Sequence, residues 1–467
     1  MQQARPTPSD RPNVILIISD DHGYADRSRI SSDPLIKTPN LDRLAEGGVT
    51  CPQAYVTAPI CSPSRAGLIS GQHQARWGGR WFDSSSFPDH LPTLAERFAE
   101  LGYVTGYFGK VHYGKEQVGD RACPPHHGFQ QTYYGLAGQQ MGRLNYLRHS
   151  DAAVTEYGPD ASWRMAVQPM LQGDDPVELE GFLTDELADR AQGFITDAVD
   201  QPYFCMLAFN AVHNFCWQLP AAELERRGLP VHGDWREGEE TYADWYDGAI
   251  TPNLEHGREY YRAQLELMDA AIGRLLDHLD RSGQADNTIV VYLTDNGGST
   301  CNYGDNGQLA GTKYTLWEGG IRVPFILRWT DGGWTGGADR DGVVSSLDLF
   351  PTLLAAAGAS DEVTAAGDGV DLGPLLRGEA AEGHDQLVWD CDFQWAIRIG
   401  DLKLRWVDGA RADGLRTVEH CEPGDGFTLH DLAADPGETE DLFEQRPEDV
   451  ARLKAAFEAW QSEVVLS

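Results

Sequence analysis

The sequence predicts an α/β protein with a large, mostly parallel mixed sheet sandwiched by helices, followed by a smaller α+β subdomain with an antiparallel sheet. Continuous apolar runs are typical of strands buried on both faces, and they occur at 13–19, 203–209 and 287–294. Amphipathic helical patterns alternate with these runs at 91–101, 184–199 and 257–281. Near the C-terminus, residues 395–406 predict a hairpin around Gly400-Asp401, with a further strand at 427–430 and a helix at 447–464.

Polar residues stand at the ends of the three apolar runs. The first run ends in Asp20-Asp21, the last in Asp295-Asn296, and the middle one ends near His213. In open α/β sheets, ligands bind beyond the carboxyl ends of the strands. These residues are therefore candidates for a functional site.

Composition and length limit the classes of protein that fit. The 467 residues include 72 acidic and 37 basic side chains, a formal net charge of −35, which excludes free nucleic acid as a partner. The content of apolar residues, 41%, indicates a folded protein. Two domains are predicted, at 10–378 and 384–467, on either side of the polar stretch 379–383. Residues 115–180 and 220–256 lack periodicity and are predicted to be long loops.

No apolar run approaches the ~18 residues of a membrane span, and the first residues lack the pattern of a signal peptide. We therefore expect a soluble chain with no membrane partner. It would be cytoplasmic as given, or secreted or periplasmic if a signal has been removed. Localisation and oligomeric state stay open.

Cys61 begins the most informative segment, Cys61-Ser-Pro-Ser-Arg-Ala-Gly-Leu-Ile-Ser-Gly71. Ser62 suits an N-cap and Pro63 the first helical position, so Cys61 is predicted to lie just before a helix N-terminus, where anions bind. The eight cysteines show no CxxC pair, so neither a disulfide framework nor a zinc site is predicted. Those at 51, 205 and 216 are expected to be small buried thiols.

The segment from Cys61 to Gly71 resembles the signature of the type I sulfatases, in the alkaline phosphatase superfamily, with Ser70 in place of the usual threonine. The resemblance implies an alkaline-phosphatase-like fold. It also implies that a formylglycine-generating enzyme oxidises Cys61 to formylglycine during maturation, and that the hydrated aldehyde is the nucleophile. Arg65, one turn into the helix, would steady the modified side chain.

The paired strand-end residues predict a metal site. Buried carboxylates at two strand ends repel each other unless a cation neutralises them, and oxygen ligands favour a hard ion, Ca²⁺ or Mg²⁺. The resemblance implies Ca²⁺, with Mg²⁺ as the less favoured choice. Its ligands would be the modified residue 61 together with Asp20, Asp21, Asp295 and Asn296.

Three further motifs resemble sulfatase motifs. Gly109-Lys110-Val111-His112 implies that Lys110 contacts the sulfate and His112 contacts formylglycine. The stretch from Gly311 to Pro324 implies a second sulfate-binding lysine, Lys313, with Glu318 and Arg322 as a structural ion pair. His213 would protonate the departing alcohol, although Asn214-Phe215 follows where the family often has a proline. Substrate contacts are expected near the nucleophile helix or the metal pair, at His73, Arg76 and Trp77, and also at His22, Arg80 and Trp81.

Together these motifs predict a sulfatase that hydrolyses a sulfate monoester on a carbohydrate to alcohol and inorganic sulfate. One alternative is a phosphonate monoester or phosphodiester hydrolase of the same superfamily. Such enzymes tend to place a histidine where this chain has Asn296, which favours the sulfatase. The other alternative is a catalytically silent protein that binds sulfated glycans.

Overall fold

The structure is a computed structural model, which describes residues 11–82, 84, 86–114, 116–137, 144–148, 170–231, 254–381, 383–419 and 422–466. Much of the loops predicted at 115–180 and 220–256, as well as Cys421, lies outside the described residues.

The strands are β1 Asn13–Ser19, β2 Val49–Thr50, β3 Ala54–Tyr55, β4 Val104–Val111, β5 Gln131–Leu136, β6 Met170–Gln172, β7 Asp175–Val177, β8 Tyr203–Ala208, β9 Thr288–Thr294, β10 Phe325–Arg328, β11 Ala338–Asp339, β12 Val344–Ser345, β13 Gln386–Asp390, β14 Gln394–Ile399, β15 Leu402–Val407 and β16 Gly426–Asp431. The α-helices span Pro39–Gly47, Cys61–Ser70, Leu94–Glu100, Leu183–Asp197, Ala221–Arg227, Gly257–Ser282, Glu318–Ile321, Leu349–Ala356, Asp361–Thr364, Gly373–Leu376, Gly409–Glu419 and Pro447–Leu466.

Ten of the strands form one large mixed sheet, in the order β11-β2-β10-β9-β1-β8-β4-β5-β6-β7. Its centre, from β9 to β5, is parallel throughout, whereas β10, β6 and β7 pair antiparallel with their neighbours. The predicted α/β class and the mostly parallel sheet are thus confirmed. Parallel pairing requires long crossover connections, and the helices between the strands supply them.

Strand β1 shows why the central strands are continuously apolar. Ile15 and Ile17 join the core cluster that also contains residues of the helices Leu183–Asp197 and Gly257–Ser282. Their neighbours Leu16 and Ile18 join the cluster of the opposite face. Since successive side chains of a strand point to opposite faces, a sheet covered by helices on both sides needs apolar residues at every position.

One predicted helix boundary was wrong. The pattern at 91–101 predicted a helix from Leu91, but the helix begins at Leu94. Thr93 and Glu96 form a capping box, in which each side chain accepts a hydrogen bond from the other residue's backbone N–H, at 3.2 and 2.9 Å. Pro92, which directly precedes Thr93, disfavours helical geometry for the residue before it, so the helix starts after the cap.

The C-terminal part contains the predicted antiparallel sheet, in the order β13-β14-β15-β16. Gly400 adopts the left-handed conformation (φ 58°) in the turn between β14 and β15, as hairpin turns favour. The final helix covers this sheet, and the ring of Phe457 stacks on Trp395 with 4.0 Å between the ring centroids. The division into two domains at 378 and 384 stays a prediction. Among the described residues, no helix combines the length and the apolar character that crossing a membrane requires.

A buried ion network links the C-terminal sheet to the short helix Glu318–Ile321 and to Tyr55 on β3. Lys403 on β15 is fully buried, and its ammonium lies 2.9 Å from a carboxylate oxygen of Glu318 and 3.0 Å from one of Glu438. Glu318 also accepts a 2.7 Å hydrogen bond from Tyr55 and pairs with Arg322 at 3.5 Å. The structure therefore contains the expected ion pair of Glu318 and Arg322, and extends it into the C-terminal sheet.

Replacing Lys403 with methionine is expected to lower the free energy of unfolding by about 3 kcal/mol, because two buried carboxylates would lose their shared counterion. The matched control is Arg274→Met, which removes an exposed ion pair with Asp185 and should cost less than about 1 kcal/mol. Urea unfolding followed by tryptophan fluorescence measures both. Equal losses in the two variants would contradict a special role for the buried network.

Candidate active site

The ends of β1 and β9 bring four polar residues together. The strands are parallel neighbours with Ser19 opposite Thr294, so Asp20 and Asp21 lie beside Asp295 and Asn296. All four are buried. The backbone N–H of Asp21 donates to Asp295 Oδ1 at 3.3 Å, which ties the two strand ends to each other.

Cys61 is the first residue of the buried helix Cys61–Ser70. The prediction of Ser62 as N-cap was wrong: the cap is Ile60, whose carbonyl accepts the first helical bond from the N–H of Ser64 at 3.4 Å. Pro63 thus lies in the first turn, where its missing N–H costs no helical hydrogen bond. The Cys61 thiol lies 3.7 Å from Asp20 Oδ1 and is 1% exposed. Burial raises the pKa of this thiol to about 12, although Lys110 and Lys313 act to lower it.

Arg65 connects the same helix to the strand ends. Its Nε donates to Asp295 Oδ2 at 2.6 Å, and its Nη1 donates to the carbonyl of Lys110 at 3.2 Å. Burial would lower the pKa of Arg65, but Asp295 and Asp20 hold it above the ordinary value. The guanidinium therefore fixes the helix start, and with it residue 61, against β9 and β4.

Two lysines neutralise the paired aspartates. Lys110, at the end of β4, forms a short ion pair with Asp20, and Lys313 Nζ lies 2.8 Å from the Asp21 carboxylate. Burial would lower the pKa of Lys313, but Asp21 keeps it well above the ordinary value. His213 Nε2 lies 3.2 Å from Lys313 Nζ and 3.5 Å from Asp21 Oδ2.

The charges of this cluster balance among the chain's own residues. Three carboxylates (Asp20, Asp21, Asp295) face three cations (Arg65, Lys110, Lys313), and every one of them is buried. Burial and the neighbouring Asp295 raise the pKa of Asp20 to about 7 despite Lys110. Burial would also raise the pKa of Asp295, but Arg65 and Lys110 hold it below the ordinary value. Asp295 thus stays ionised more firmly than Asp20.

The donor set fits a hard cation. Ligand atoms of Asp20, Asp21, Cys61 and His213 lie within 4.8 Å of one another. In addition, Asn296 Oδ1 is a buried oxygen without a hydrogen-bond partner among the described residues, while its Nδ2 donates to Asp21 Oδ1 at 2.7 Å. An unsatisfied buried oxygen beside three carboxylates is chemically suited to Ca²⁺ or Mg²⁺.

Asn302 is a residue of this cluster that the sequence did not indicate. It lies on a short 3-10 turn, and its amide donates to Asp21 Oδ2. No motif surrounds it in the sequence. Asn302 reaches the cluster because the chain folds back after β9 and returns to the end of β1.

His112 lies at the border between the buried charges and a group of aromatic rings. Burial, together with Lys110 and Arg65, lowers the pKa of His112 well below its ordinary value. The imidazole is therefore neutral at physiological pH. The ring of Phe82 stacks on it with 6.1 Å between the centroids and 14° between the planes.

The structure does not bring His73, Arg76 and Trp77 to this cluster. They follow the C-terminal end of the helix Cys61–Ser70, whose ten residues span about 14 Å at 1.5 Å per residue. His73 Nε2 lies 3.0 Å from the carbonyl of Val388, and Arg76 forms a two-pronged ion pair with Asp368. Arg76 and Trp77 line a separate cavity of about 300 Å³.

Of the further candidates near the site, His22 and Arg80 are held in other contacts. His22 is buried, with Nδ1 2.6 Å from the hydroxyl of Tyr292 and Nε2 2.7 Å from the carbonyl of Asp26. Arg80 pairs with Asp390 at 3.0 Å. Trp81 is half-buried and packs edge-on against Phe393 of the C-terminal part, with 4.7 Å between the centroids.

Comparisons with known proteins agree on one family. The model of the family described as Sulfatase matches residues 12–359. Human arylsulfatase A is 31% identical over 92% of this chain and 83% of its own length. Rat steryl-sulfatase is 30% identical over 83% of this chain and 73% of its own length. The crystal structure of Ps i-CgsB in complex with k-i-k-neocarrahexaose superposes with a TM-score of 0.78 and 26% identity, over 97% of this chain and 93% of that one.

Replacing Arg65 with methionine is expected to lower the free energy of unfolding by about 3 kcal/mol, because Asp295 would stay buried without its partner. Arg76→Met is the matched control: it removes an ion pair just beyond the same helix whose side chains are 22% and 23% exposed, and should cost less than Arg65→Met because water reaches and partly screens that pair. Denaturant unfolding compares the two variants. A larger loss for Arg76→Met would mean that the helix is anchored at its far end instead.

Proposed function

This chain belongs to the sulfatase family and is a sulfuric ester hydrolase; we propose that its substrate is a sulfate monoester of a carbohydrate, which it cleaves to alcohol and inorganic sulfate. We further propose that Cys61 is converted to formylglycine and that Ca²⁺ binds at the strand-end carboxylates. The observation that carries the proposal is the meeting of Cys61, Asp20, Asp21 and His213 within 4.8 Å at the start of a buried helix.

The donor chemistry supports calcium as the bound ion. Asp20, Asp21 and Asp295 offer carboxylate oxygens, and Asn296 offers an amide oxygen. Calcium accepts six to eight oxygen ligands in flexible geometry, whereas Mg²⁺ demands near-octahedral geometry and retains several waters. A set of four protein oxygens beside residue 61 therefore suits Ca²⁺ better than Mg²⁺.

Charge explains why such a site would attract a sulfate ester. The three carboxylates and three cations cancel, so a divalent cation would leave the cluster with a net charge of about +2 that an anionic sulfate group complements. When bound, Ca²⁺ would polarise the sulfuryl oxygens, and the hydrated aldehyde of formylglycine would supply a nucleophilic hydroxyl. Lys110 and Lys313 would hold the sulfuryl oxygens by charge-assisted hydrogen bonds.

We propose that one of the two histidines donates a proton and that the other accepts one. His213 Nε2, beside Lys313, would carry the proton that the departing alcohol needs. His112 is neutral because of burial and nearby cations, so it would accept a proton during the reaction. Arg65 donates to Asp295 and to the carbonyl of Lys110, so we assign it the role of holding residue 61 in place.

A carbohydrate substrate is supported by one relative of similar structure. Ps i-CgsB, which superposes over nearly the whole chain, has been crystallised with k-i-k-neocarrahexaose. The similarity extends over 97% of this chain and 93% of that one, which supports a similar class of substrate. We therefore propose that this chain also accepts a sulfated saccharide.

The deciding experiment measures sulfate release from a panel of sulfated mono- and oligosaccharides, using protein whose residue 61 has been shown by mass spectrometry to be formylglycine. Release from one regioisomer is expected, and Cys61→Ala should reduce it by at least about 10³-fold, as loss of a nucleophile does. If fully converted protein released no sulfate from any member, the panel would be extended to phosphonate and phosphodiester substrates. Binding without turnover would instead favour a glycan-binding protein.

Asp295→Asn is expected to abolish stabilisation by calcium. Wild-type protein should gain about 2.7 kcal/mol of unfolding free energy when free Ca²⁺ exceeds its Kd a hundredfold. The variant should gain almost none, because it loses a carboxylate of the predicted ligand set. Thermal unfolding with Ca²⁺ and with a chelator measures the gain, and Asp368→Asn, outside the site, should keep it. An unchanged gain in Asp295→Asn would exclude Asp295 as a ligand.

His213→Gln is expected to affect substrates according to their leaving groups. A sugar alcohol leaves poorly without a proton, so its kcat should fall by about 10²- to 10⁴-fold. Nitrophenolate leaves without protonation, so kcat for nitrophenyl sulfate should fall much less. Steady-state kinetics on both substrates provides the comparison, and equal losses would remove His213 from the role of acid.

A further inference from the structure

Three half-buried aromatic side chains lie side by side at the edge of the candidate active site. They are Trp81, Phe82 and Tyr314, which we call the aromatic wall. Their ring centroids are 5.9 Å (Trp81 to Phe82), 6.0 Å (Phe82 to Tyr314) and 6.2 Å (Trp81 to Tyr314) apart. The charged groups of the site are buried, whereas each ring of the wall keeps part of its surface accessible.

The aromatic wall contacts two residues that are proposed to act on the sulfate ester. Phe82 stacks on His112, and the ammonium of Lys313 lies 5.4 Å from the ring centroid of Tyr314. A substrate whose sulfate lies at Lys313 has its leaving group attached directly to that sulfate. A leaving group that extends from the buried cluster towards these half-buried rings would lie against them.

The backbone holds Tyr314 in an unusual conformation. Its φ is 72°, in the left-handed region that bulky residues rarely adopt. Two hydrogen bonds fix it there: its N–H donates to the carbonyl of Pro59 at 2.8 Å, and its carbonyl accepts from Gln394 Nε2 at 2.6 Å. Such conformations persist where the surroundings over-determine them, often at ligand clamps. Here the conformation places the ring of Tyr314 beside the rings of Trp81 and Phe82.

The shape and chemistry of the aromatic wall favour a sugar over a flat apolar group. The ring planes are inclined to one another by 51° to 68°, so they form a curved surface rather than a parallel slot. Trp81 and Tyr314 also carry an N–H and a hydroxyl. A pyranose presents an apolar C–H face bordered by hydroxyl groups, which matches a surface of ring faces with polar edges.

Among the described residues, the two arginines that lie near the aromatic wall are each held in an ion pair. Arg80 is paired with Asp390, and Arg411, whose guanidinium lies 5.5 Å from the ring of Phe393, is paired with Asp392. The overall charge of −35 also opposes highly anionic ligands. Around the described part of the wall, we therefore expect recognition of the saccharide to depend on its ring more than on further sulfates.

Resting on the proposed function, we propose that the aromatic wall binds the sugar ring that carries the scissile sulfate, through the C–H face of that ring. Trp81, Phe82 and Tyr314 are then specificity-determining residues. They select sulfates that are attached to a saccharide. The sulfate group itself is bound by the buried cluster.

The test compares KM for the best saccharide of the panel with the inhibition constant of inorganic sulfate, which has no ring. In Ca²⁺-loaded protein with formylglycine at residue 61, Phe82→Ala and Trp81→Ala should each raise KM roughly five- to tenfold. The inhibition constant of sulfate should stay within about twofold of the wild-type value, because sulfate contacts only the cluster. Phe82→Leu and Trp81→Phe serve as milder variants if the alanine variants fold poorly, and should raise KM by less.

Two controls separate the ring contact from other effects. Phe443→Ala removes another half-buried phenylalanine, in the C-terminal part, and should leave KM unchanged. Arg411→Gln should also leave KM unchanged, and a rise would point to recognition of a second anion instead. An unchanged KM in the wall variants would overturn the proposal. A parallel rise of KM and of the inhibition constant would also overturn it, because the rings would then only hold His112 and Lys313 in position.

Binding measurements keep this outcome separate from failure of the proposed function. Calorimetry of a sulfated saccharide with Cys61→Ala and with Cys61→Ala/Phe82→Ala requires no turnover. Weaker binding by the double variant would support the aromatic wall even if the wild-type protein released no sulfate. Equal binding by both variants would overturn the wall, whatever the wild-type protein hydrolyses.

Discussion

Three carboxylates cannot be buried together at the ends of two adjacent strands unless positive charge is buried with them. In this protein that charge comes from three different elements. Arg65 lies on the helix that begins at Cys61, Lys110 is the penultimate residue of β4, and Lys313 lies in the loop that precedes the helix Glu318–Ile321. Each of these elements therefore has to pack at the same edge of the sheet. Neutralising the buried carboxylates and assembling the site depend on the same three contacts.

The C-terminal sheet takes part in the same arrangement. Gln394 on β14 accepts a hydrogen bond from the N–H of Leu316 at 3.2 Å and donates to the carbonyl of Tyr314. Lys403 on β15 holds Glu318, five residues after Lys313. The loop that carries Lys313 is thus fixed from outside the large sheet. A boundary between two domains can be drawn in the sequence near residue 380, but the contacts that position a proposed sulfate-binding lysine cross it.

The sequence was most informative where a single physical requirement shapes a whole segment. Burial on both faces demands continuous apolar residues, so β1 could be predicted residue by residue, as could the neighbouring strand β9 to within one residue. The positions of the motif residues could then be predicted as well, because these residues directly follow β1 and β9. The contacts of Arg65 with Asp295 were not predictable, because they depend on how a helix and a strand 230 residues apart in sequence approach each other.

Proximity in sequence did not predict proximity in space. His73 and Arg76 are close to Cys61 along the chain, but the intervening helix carries them to its far end. Asn302 and Tyr314 lie in irregular segments, whose side-chain positions depend on contacts that leave no periodic pattern in the sequence. Ser62 has the properties of an N-cap, yet the surrounding packing starts the helix two residues earlier.

The burial of Cys61 restricts when another enzyme could modify it. A side chain that is 1% exposed cannot enter a second active site, so any oxidation of residue 61 has to act before the chain closes around it. Asp295, which anchors the helix through Arg65, is synthesised 234 residues later. At about 5 to 20 residues per second, that leaves roughly 10 to 50 s during which the segment is still accessible on the growing chain. With the proposed conversion of Cys61, the yield of active protein would depend on competition between translation and modification, and slower elongation in an expression host would favour the converted form.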